Sequence, residues 1–261
     1  MRCPSCKSAF VWPRPEQGMI NAFYKNDSYK NYSPRQALEL DERYHPKSIT
    51  DAKRIINRCS DLAKRNEFLD VGAGFGMFSK NAHEKGFHVS ACEPNGNSRK
   101  VFCQINGFEP DPGNFDREYA MDHKLEFDVV LLSQILEHVP DPEETVHNIS
   151  TVLRKDGIAA IAVPYFGSAL SKAQGKNDMF ISPPEHLNFF SKRGLINLFV
   201  RNDFRLEFYE TVSKVNRGRI EDVIDIRSLS HAVWITFYGI LKLSEIFNMG
   251  MVINAYFRKI F

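Results

Sequence analysis

Net charge, paired cysteines and unbroken apolar runs are all scarce in this sequence. A formal charge of +2 is too small for a groove that tracks phosphates. No stretch alternates Lys or Arg with aromatics, so no nucleic-acid partner is expected. The cysteines number five, an odd count without regular spacing. That argues against a secreted scaffold stapled by disulfides and for a reducing cytoplasm. No apolar segment follows Met1-Arg2-Cys3-Pro4, so no signal peptide is expected there. The apolar-rich stretch from Ser230 to Phe261 is interrupted by Lys242 and Glu245 before it reaches the ~20 residues of a membrane span. Beyond these absences the chain is ordinary. Its 261 residues, 43% hydrophobic and 25% charged, suffice for one sizeable core with appendages.

The stretch Phe68-Leu-Asp-Val-Gly-Ala-Gly-Phe-Gly76 organises the rest. It begins as a short apolar strand, places Asp70 near the strand's end, and passes through Gly72, Ala73, Gly74 and Gly76 toward a helix at Lys80–Gly86. Glycine serves where backbone turns tightly or approaches a ligand closely. A strand, a glycine turn and a helix N-terminus form a nucleotide site at the carboxyl edge of a parallel sheet. The next short strand, His88–Cys92, ends at Glu93-Pro94-Asn95. An acid at that position, about 20 residues on, can accept hydrogen bonds from both ribose hydroxyls. The spacing Gly-x-Gly-x-Gly, one residue shorter than the dinucleotide form, suits a cofactor without a pyrophosphate, so an NAD-dependent oxidoreductase is the weaker reading.

Further on, Asp111–Asp116 is a polar loop able to reach an adenine ring. Phe127–Leu132 is an apolar strand of the buried parallel kind. It runs into Ser133-Gln134-Ile135-Leu136-Glu137-His138-Val139-Pro140-Asp141-Pro142, polar residues at the sheet edge where a ligand crevice forms. Helical spacing covers Ser48–Lys64, Ser98–Asn106 and Glu143–Leu153, Gly107-Phe-Glu-Pro110 begins a third, less regular strand, Gly157–Val163 is the fifth strand, and Phe204–Tyr209 is a strand that completes the expected sheet.

These pieces resemble the class I S-adenosylmethionine-dependent methyltransferases. The resemblance is carried by Leu69–Gly76, Cys92-Glu-Pro94, Phe127–Val130, Leu136–Pro142 and Leu153-Arg-Lys-Asp-Gly157. Pro183-Pro-Glu-His-Leu-Asn-Phe-Phe-Ser191 is similar to the segment after the fifth strand in the subgroup of ubiquinone-biosynthesis O-methyltransferases and glycan-cluster methyltransferases. The resemblance implies an α/β, Rossmann-like fold with a seven-stranded, mostly parallel sheet and helices on both faces. It implies S-adenosyl-L-methionine as cofactor, held by Asp70, Gly72, Ala73, Gly74, Gly76, Glu93 and Pro94. Asn114 and Phe115 would lie near the adenine, with Ser133 and Gln134 by the methionyl end.

Methyl transfer from a sulfonium is an in-line displacement, so the protein mainly aligns the partners and removes a proton from the acceptor. Histidine titrates near working pH, and His138 and His186 stand at expected crevice positions; Tyr165, Glu137 and Glu185 are second-line candidates. The expected reaction is O-methylation of a small hydroxylated acceptor, such as a sugar, a glycan precursor of polysaccharide biosynthesis or a secondary metabolite. A catalytically inactive, cofactor-binding partner subunit is the alternative. Glu137 with His138 resembles part of a divalent-ion site of related O-methyltransferases, and Cys3-Pro-Ser-Cys6 is half of a tetrahedral zinc knuckle. Neither supplies a complete ligand set.

Three regions are expected: residues 1–46 as a Cys-x-x-Cys and Tyr-rich arm carrying Tyr24, Tyr29, Tyr32 and Tyr44; 47–215 as the cofactor-binding domain; and 216–261 as an aromatic-rich helical extension. Arg217 and Arg219 read as solvated surface or as contacts for an anionic substrate. The extension packs on the domain, forms a homodimer surface, or rests on a membrane interface.

Overall fold

The computed structural model describes residues 1–16, 18–19, 48–213 and 231–261. In chain order the elements are β1 (Ala9–Phe10), α1 (Ser48–Leu62), β2 (Glu67–Val71), α2 (Met77–Glu84), β3 (His88–Cys92), α3 (Gly96–Asn106), α4 (Arg117–Asp122) and β4 (Phe127–Ser133). They continue with α5 (Pro142–Val152), β5 (Leu153–Pro164), α6 (Ala169–Gln174), β6 (Asn188–Phe189), α7 (Lys192–Val200), β7 (Phe204–Val212), α8 (His231–Ile246) and β8 (Val252–Lys259). The main sheet has the order β3-β2-β4-β5-β8-β7. Its first four strands are parallel, and β8 runs antiparallel to both β5 and β7.

Burial explains the strand sequences. Successive side chains point to opposite faces, and β4 is buried from Phe127 to Leu132. Val130 and Leu132 join a core with Val146, Ile149, Leu195 and Leu198 of α5 and α7. Val129 and Leu131 join a second core, with Ile55, Ile56 and Cys59 of α1 and Ala82 of α2. Two covered faces require the unbroken apolar run seen in β4.

The sheet differs from the expected seven strands. The stretch after α3 forms no seventh strand among the described residues and contributes one rung: Asp111 bridges Cys92 in parallel. Asp111 N–H donates to the Ala91 carbonyl at 2.8 Å, and Glu93 N–H donates to the Asp111 carbonyl at 2.9 Å. Pro110 and Pro112 flank Asp111 and have no N–H to extend the ladder.

The C-terminal stretch also departs from the helical expectation. Among its described residues only α8 is helical. Val252–Lys259 is a strand inserted between β5 and β7, so Phe204–Tyr209 does not complete the sheet by itself. Both faces of β8 are buried, with Ile253, Ala255 and Phe257 in one core and Val252 and Tyr256 in the other. Such a strand has no polar alternation to separate it from a buried helix. At its start Gly250 lies so close to β7 that an added Cβ would come within 2.8 Å of the Val212 backbone nitrogen. On α8, Leu241 and Ser244 are buried, whereas Ile235, Ile240, Leu243 and Ile246 are exposed. No helix among the described residues is long and apolar enough to cross a membrane.

The N-terminal residues form a small knuckle. Cys3 N–H donates to the Ser8 carbonyl and Lys7 N–H to the Cys3 carbonyl, and β1 pairs antiparallel with β6. Tyr24, Tyr29, Tyr32 and Tyr44, and likewise Arg217 and Arg219, lie outside the described residues.

Candidate functional site

The parallel strands β2, β3 and β4 bring three sequence segments to one carboxyl edge. At the end of β2 the chain turns through Gly72, Gly74 and Gly76, all in the left-handed region at φ 64°, 56° and 80°. Two of these turns also need the absence of a side chain. A Cβ on Gly72 would overlap the Ile135 side chain, and one on Gly76 would meet the Phe102 ring and the Asn106 amide. The turn is fastened by Ala73 N–H donating to the Cys92 carbonyl at 3.1 Å, and it ends at Gly76, the N-cap of α2.

Glu93 closes the edge between this turn and β3. One carboxylate oxygen accepts from Gly74 N–H at 2.8 Å and the other from Asn95 N–H at 2.7 Å. Burial raises its pKa, and the two N–H donors oppose the rise. Each oxygen keeps acceptor capacity, since a carboxylate offers about four lone-pair sites. The Pro94 carbonyl accepts from Arg99 at 2.8 Å. Asp70 is buried and accepts from Ser79 Oγ of α2 at 2.7 Å. Burial pushes its carboxyl up to about 7, with Ser79 opposing and Glu93 adding to the rise.

Asn114 accepts from Asp116 N–H through its carbonyl at 3.0 Å. Phe115 packs on the core, its ring 5.8 Å from Tyr119. Ser133 ends β4 opposite Ala162. Gln134 adopts φ 59° and donates twice to the Ala162 carbonyl, from its backbone N–H at 2.8 Å and its side-chain amide at 3.2 Å. Gln134 is thereby held against β5 as the chain leaves the sheet.

Beyond Gln134 the chain carries a cluster of three proton-accepting side chains. Glu137, His138 and His186 place their ligand atoms within 4.8 Å of one another. The two imidazoles meet edge to face with centroids 4.8 Å apart. His138 Nδ1 lies 2.8 Å from the Glu185 carbonyl, and His186 Nδ1 lies 2.7 Å from the Phe180 carbonyl. Carbonyls only accept, so each Nδ1 carries a hydrogen and each Nε2 is the basic nitrogen. His138 Nε2 lies 3.9 Å from Oε1 of Glu137, whose side chain is buried. Burial lowers the His138 pKa and keeps its ring neutral at pH 7.

Tyr165 follows β5, half-buried against the core. Burial, reinforced by Tyr209, raises its phenol above the usual value, so the hydroxyl keeps its proton and can donate a hydrogen bond. Glu185 reaches Ser182 Oγ at 3.3 Å, and its carbonyl anchors His138. Among the described residues no group of three metal-type ligands includes Cys3 or Cys6; Glu137, His138 and His186 form the one such group. The Cys3 thiol is nevertheless lowered by backbone N–H donors of Cys6 and Ser5, as befits a tight turn.

Sequence reasoning missed Ile135, which fills the space above Gly72, and Ser79, which anchors Asp70. Asn188 carries no signal of its own in the sequence. Asn188 Nδ2 donates to the carbonyls of Val139 at 2.8 Å and Leu136 at 3.2 Å, on either side of the Glu137–His138 turn.

Residues 42–207 match the family model for the methyltransferase domain. A ubiquinone biosynthesis O-methyltransferase of Azoarcus sp. (strain BH72) is 27% identical over 146 residues, covering 49% of this chain and 63% of that protein. One of Xylella fastidiosa (strain 9a5c) is 28% identical over 185 residues, covering 63% of this chain and 72% of the relative. The match to the Azoarcus relative thus spans less than two thirds of its length. Among solved structures, an S-adenosylmethionine-dependent methyltransferase from Archaeoglobus fulgidus aligns with a TM-score of 0.58 at 21% identity, over 85% of this chain and 99% of that one. The 1,6-didemethyltoxoflavin-N1-methyltransferase of Burkholderia thailandensis, solved with S-adenosylhomocysteine, aligns with a TM-score of 0.53 at 13% identity, over 99% and 97%. These structural likenesses concern the fold.

Proposed function

The chain belongs to the methyltransferase domain family, and on that premise we propose that it transfers the methyl group of S-adenosylmethionine to a hydroxyl of a small acceptor. The glycine turn from Gly72 to Gly76 supports binding of the cofactor's methionine and ribose. Glu93 suits the ribose hydroxyls, because two backbone N–H groups aim its oxygens and leave lone pairs on each. Asn114 and Phe115 are assigned to the adenine side, and Ser133 and Gln134 to the methionyl end.

The observation that carries the reaction type is the histidine pair. A hydroxyl must lose its proton as the carbon–oxygen bond forms and the carbon–sulfur bond breaks, leaving S-adenosylhomocysteine. His138 Nε2 lies 3.9 Å from the buried side chain of Glu137, and His186 belongs to the same cluster. That carboxylate stabilises the imidazolium formed once His138 or His186 accepts the proton. The relatives named as O-methyltransferases point the same way. Tyr165 is the hydrogen-bond donor on the β5 side.

A second reading rests on the same three side chains. Two imidazole nitrogens and a carboxylate also suit a divalent cation, which would lower the pKa of a hydroxyl placed on it. Methyl transfer to a panel of sugars, glycan phosphates and quinol precursors, followed by mass spectrometry for the gain of one methyl group, tests the proposal. Repeating the active pair in EDTA separates the two readings: retained turnover supports histidine alone. A panel with no methylated product, together with no binding of S-adenosylhomocysteine in titration calorimetry, would overturn both.

A further inference from the structure

The N-terminal segment reaches the site through the side chain of Arg14. Arg14 Nη1 donates to the Leu187 carbonyl at 3.0 Å, and Nη2 donates to Asn188 Oδ1 at 2.6 Å. Its guanidinium lies 5.7 Å from the centroid of the Phe10 ring, and Phe10 is the β1 residue paired with Asn188. Val11 N–H donates to the same Leu187 carbonyl at 3.0 Å. The planar fork of arginine matches two acceptors at once, which a lysine ammonium on its flexible stem does not.

What Arg14 grips is the junction between the two histidine segments. Leu187 and Asn188 both donate their N–H groups to the Glu137 carbonyl, at 2.8 and 3.0 Å. The Asn188 side chain, with Oδ1 taken by Arg14, uses Nδ2 to hold the carbonyls of Val139 and Leu136. His186 comes just before Leu187, and the Glu185 carbonyl that orients His138 precedes it. We propose that Arg14 is a positioning residue, which fixes the amide of Asn188 and thereby holds the His186 loop against the Glu137–His138 turn. This inference rests on the reading of the two histidines as the proton acceptors. It makes the N-terminal segment part of the acceptor side of the site, not a separate appendage.

The consequence is measurable without knowing the acceptor. A loop held against the turn keeps the Nδ1–H groups of His138 and His186 on the Glu185 and Phe180 carbonyls. NMR of the 261-residue chain at one fixed pH reads those two hydrogen-bonded Nδ1–H signals and the exchange of the Leu187 and Asn188 amide protons with solvent. In Arg14→Ala both Nδ1–H signals weaken and the two amides exchange about tenfold faster, because the bonds that protect them open more often. Arg14→Lys falls between that variant and the wild type, and the affinity for S-adenosylhomocysteine stays within about twofold.

Asn188→Asp keeps the acceptor for Arg14 but loses the donors to Val139 and Leu136. It carries the same comparison if Arg14→Ala fails to fold, and the same changes in the Nδ1–H signals and amide exchange are expected. Unchanged Nδ1–H signals and unchanged Leu187 and Asn188 exchange in the variant that folds overturn the proposal, as does a general rise in exchange across the sheet with loss of cofactor binding. Full methyl transfer by His138→Gln would instead defeat the proton-acceptor reading while leaving this coupling intact.

Discussion

The rings of His138 and His186 meet edge to face at 4.8 Å, although one follows β4 and the other precedes β6. Each is aimed by a backbone carbonyl on its Nδ1. The two rings are thereby brought into one cluster with Glu137.

Replacing either ring should therefore disable proton removal. His138→Gln and His186→Gln are each expected to lower kcat by about 10²–10⁴-fold, with S-adenosylhomocysteine binding unchanged. The double variant should be little worse than the more severe single one, because the pair acts as a unit. In the wild type the rate should rise with pH through a midpoint below the ordinary histidine value, since burial lowers His138 and only the neutral ring accepts a proton. A kcat independent of pH between 5 and 8 would contradict this.

Glu93→Ala tests the cofactor edge. It removes the acceptor of Gly74 and Asn95 N–H along with the two ribose contacts proposed for this carboxylate. Two charge-assisted hydrogen bonds at about 1.5 kcal/mol each correspond to a loss of affinity of roughly a hundredfold. Calorimetric titration with S-adenosylhomocysteine measures it directly.

Asp70 gives a stability prediction with a defined sign. Between its usual value of 3.8 and about 7, the folded chain retains a proton that the unfolded chain has released. Stability must then fall as pH rises across that window. Relative to Asp70→Asn, the wild type should lose up to about 1.4 kcal/mol per pH unit there. Urea unfolding of both proteins at pH 5, 6 and 7 checks it, and parallel curves would count against a protonated Asp70.

Phe257 tests the place of β8 in the sheet. It is fully buried, stacked on Phe199 at 4.1 Å with 6° between the rings. Phe257→Ala should cost about 3–5 kcal/mol, as a core residue does. A loss below about 1 kcal/mol, the scale of an exposed position, would mean that the strand is peripheral.

The glycine turn and its acid were legible in the sequence because their requirements are local. Gly72 and Gly76 must lack a side chain where Ile135 and Phe102 approach. Glu93 must end a strand next to the turn. Both conditions follow from spacing along the chain, and the run Phe127–Leu132 announced a doubly covered strand in the same way. The C-terminal strand was not legible. Val252–Lys259 is apolar on both faces, and a pattern without alternation fits a buried strand and a buried helix equally well. The sixfold sheet was hidden for a different reason: proline on both sides of Asp111 reduces a seventh strand to a single rung.

The sequence by itself determined the parallel core, the glycine turn with its acid, and the identity of the two histidines as candidates. Only the tertiary structure decided that those histidines share one space, which of their nitrogens is basic, and that Arg14 and Asn188 tie the N-terminal knuckle to them. Periodicity and spacing report what each segment does with its own neighbours. Contacts such as Arg14 with Asn188, or Leu187 with the Glu137 carbonyl, join segments far apart in the chain. They exist only because β1 pairs with β6 and the loop folds back over the end of β4.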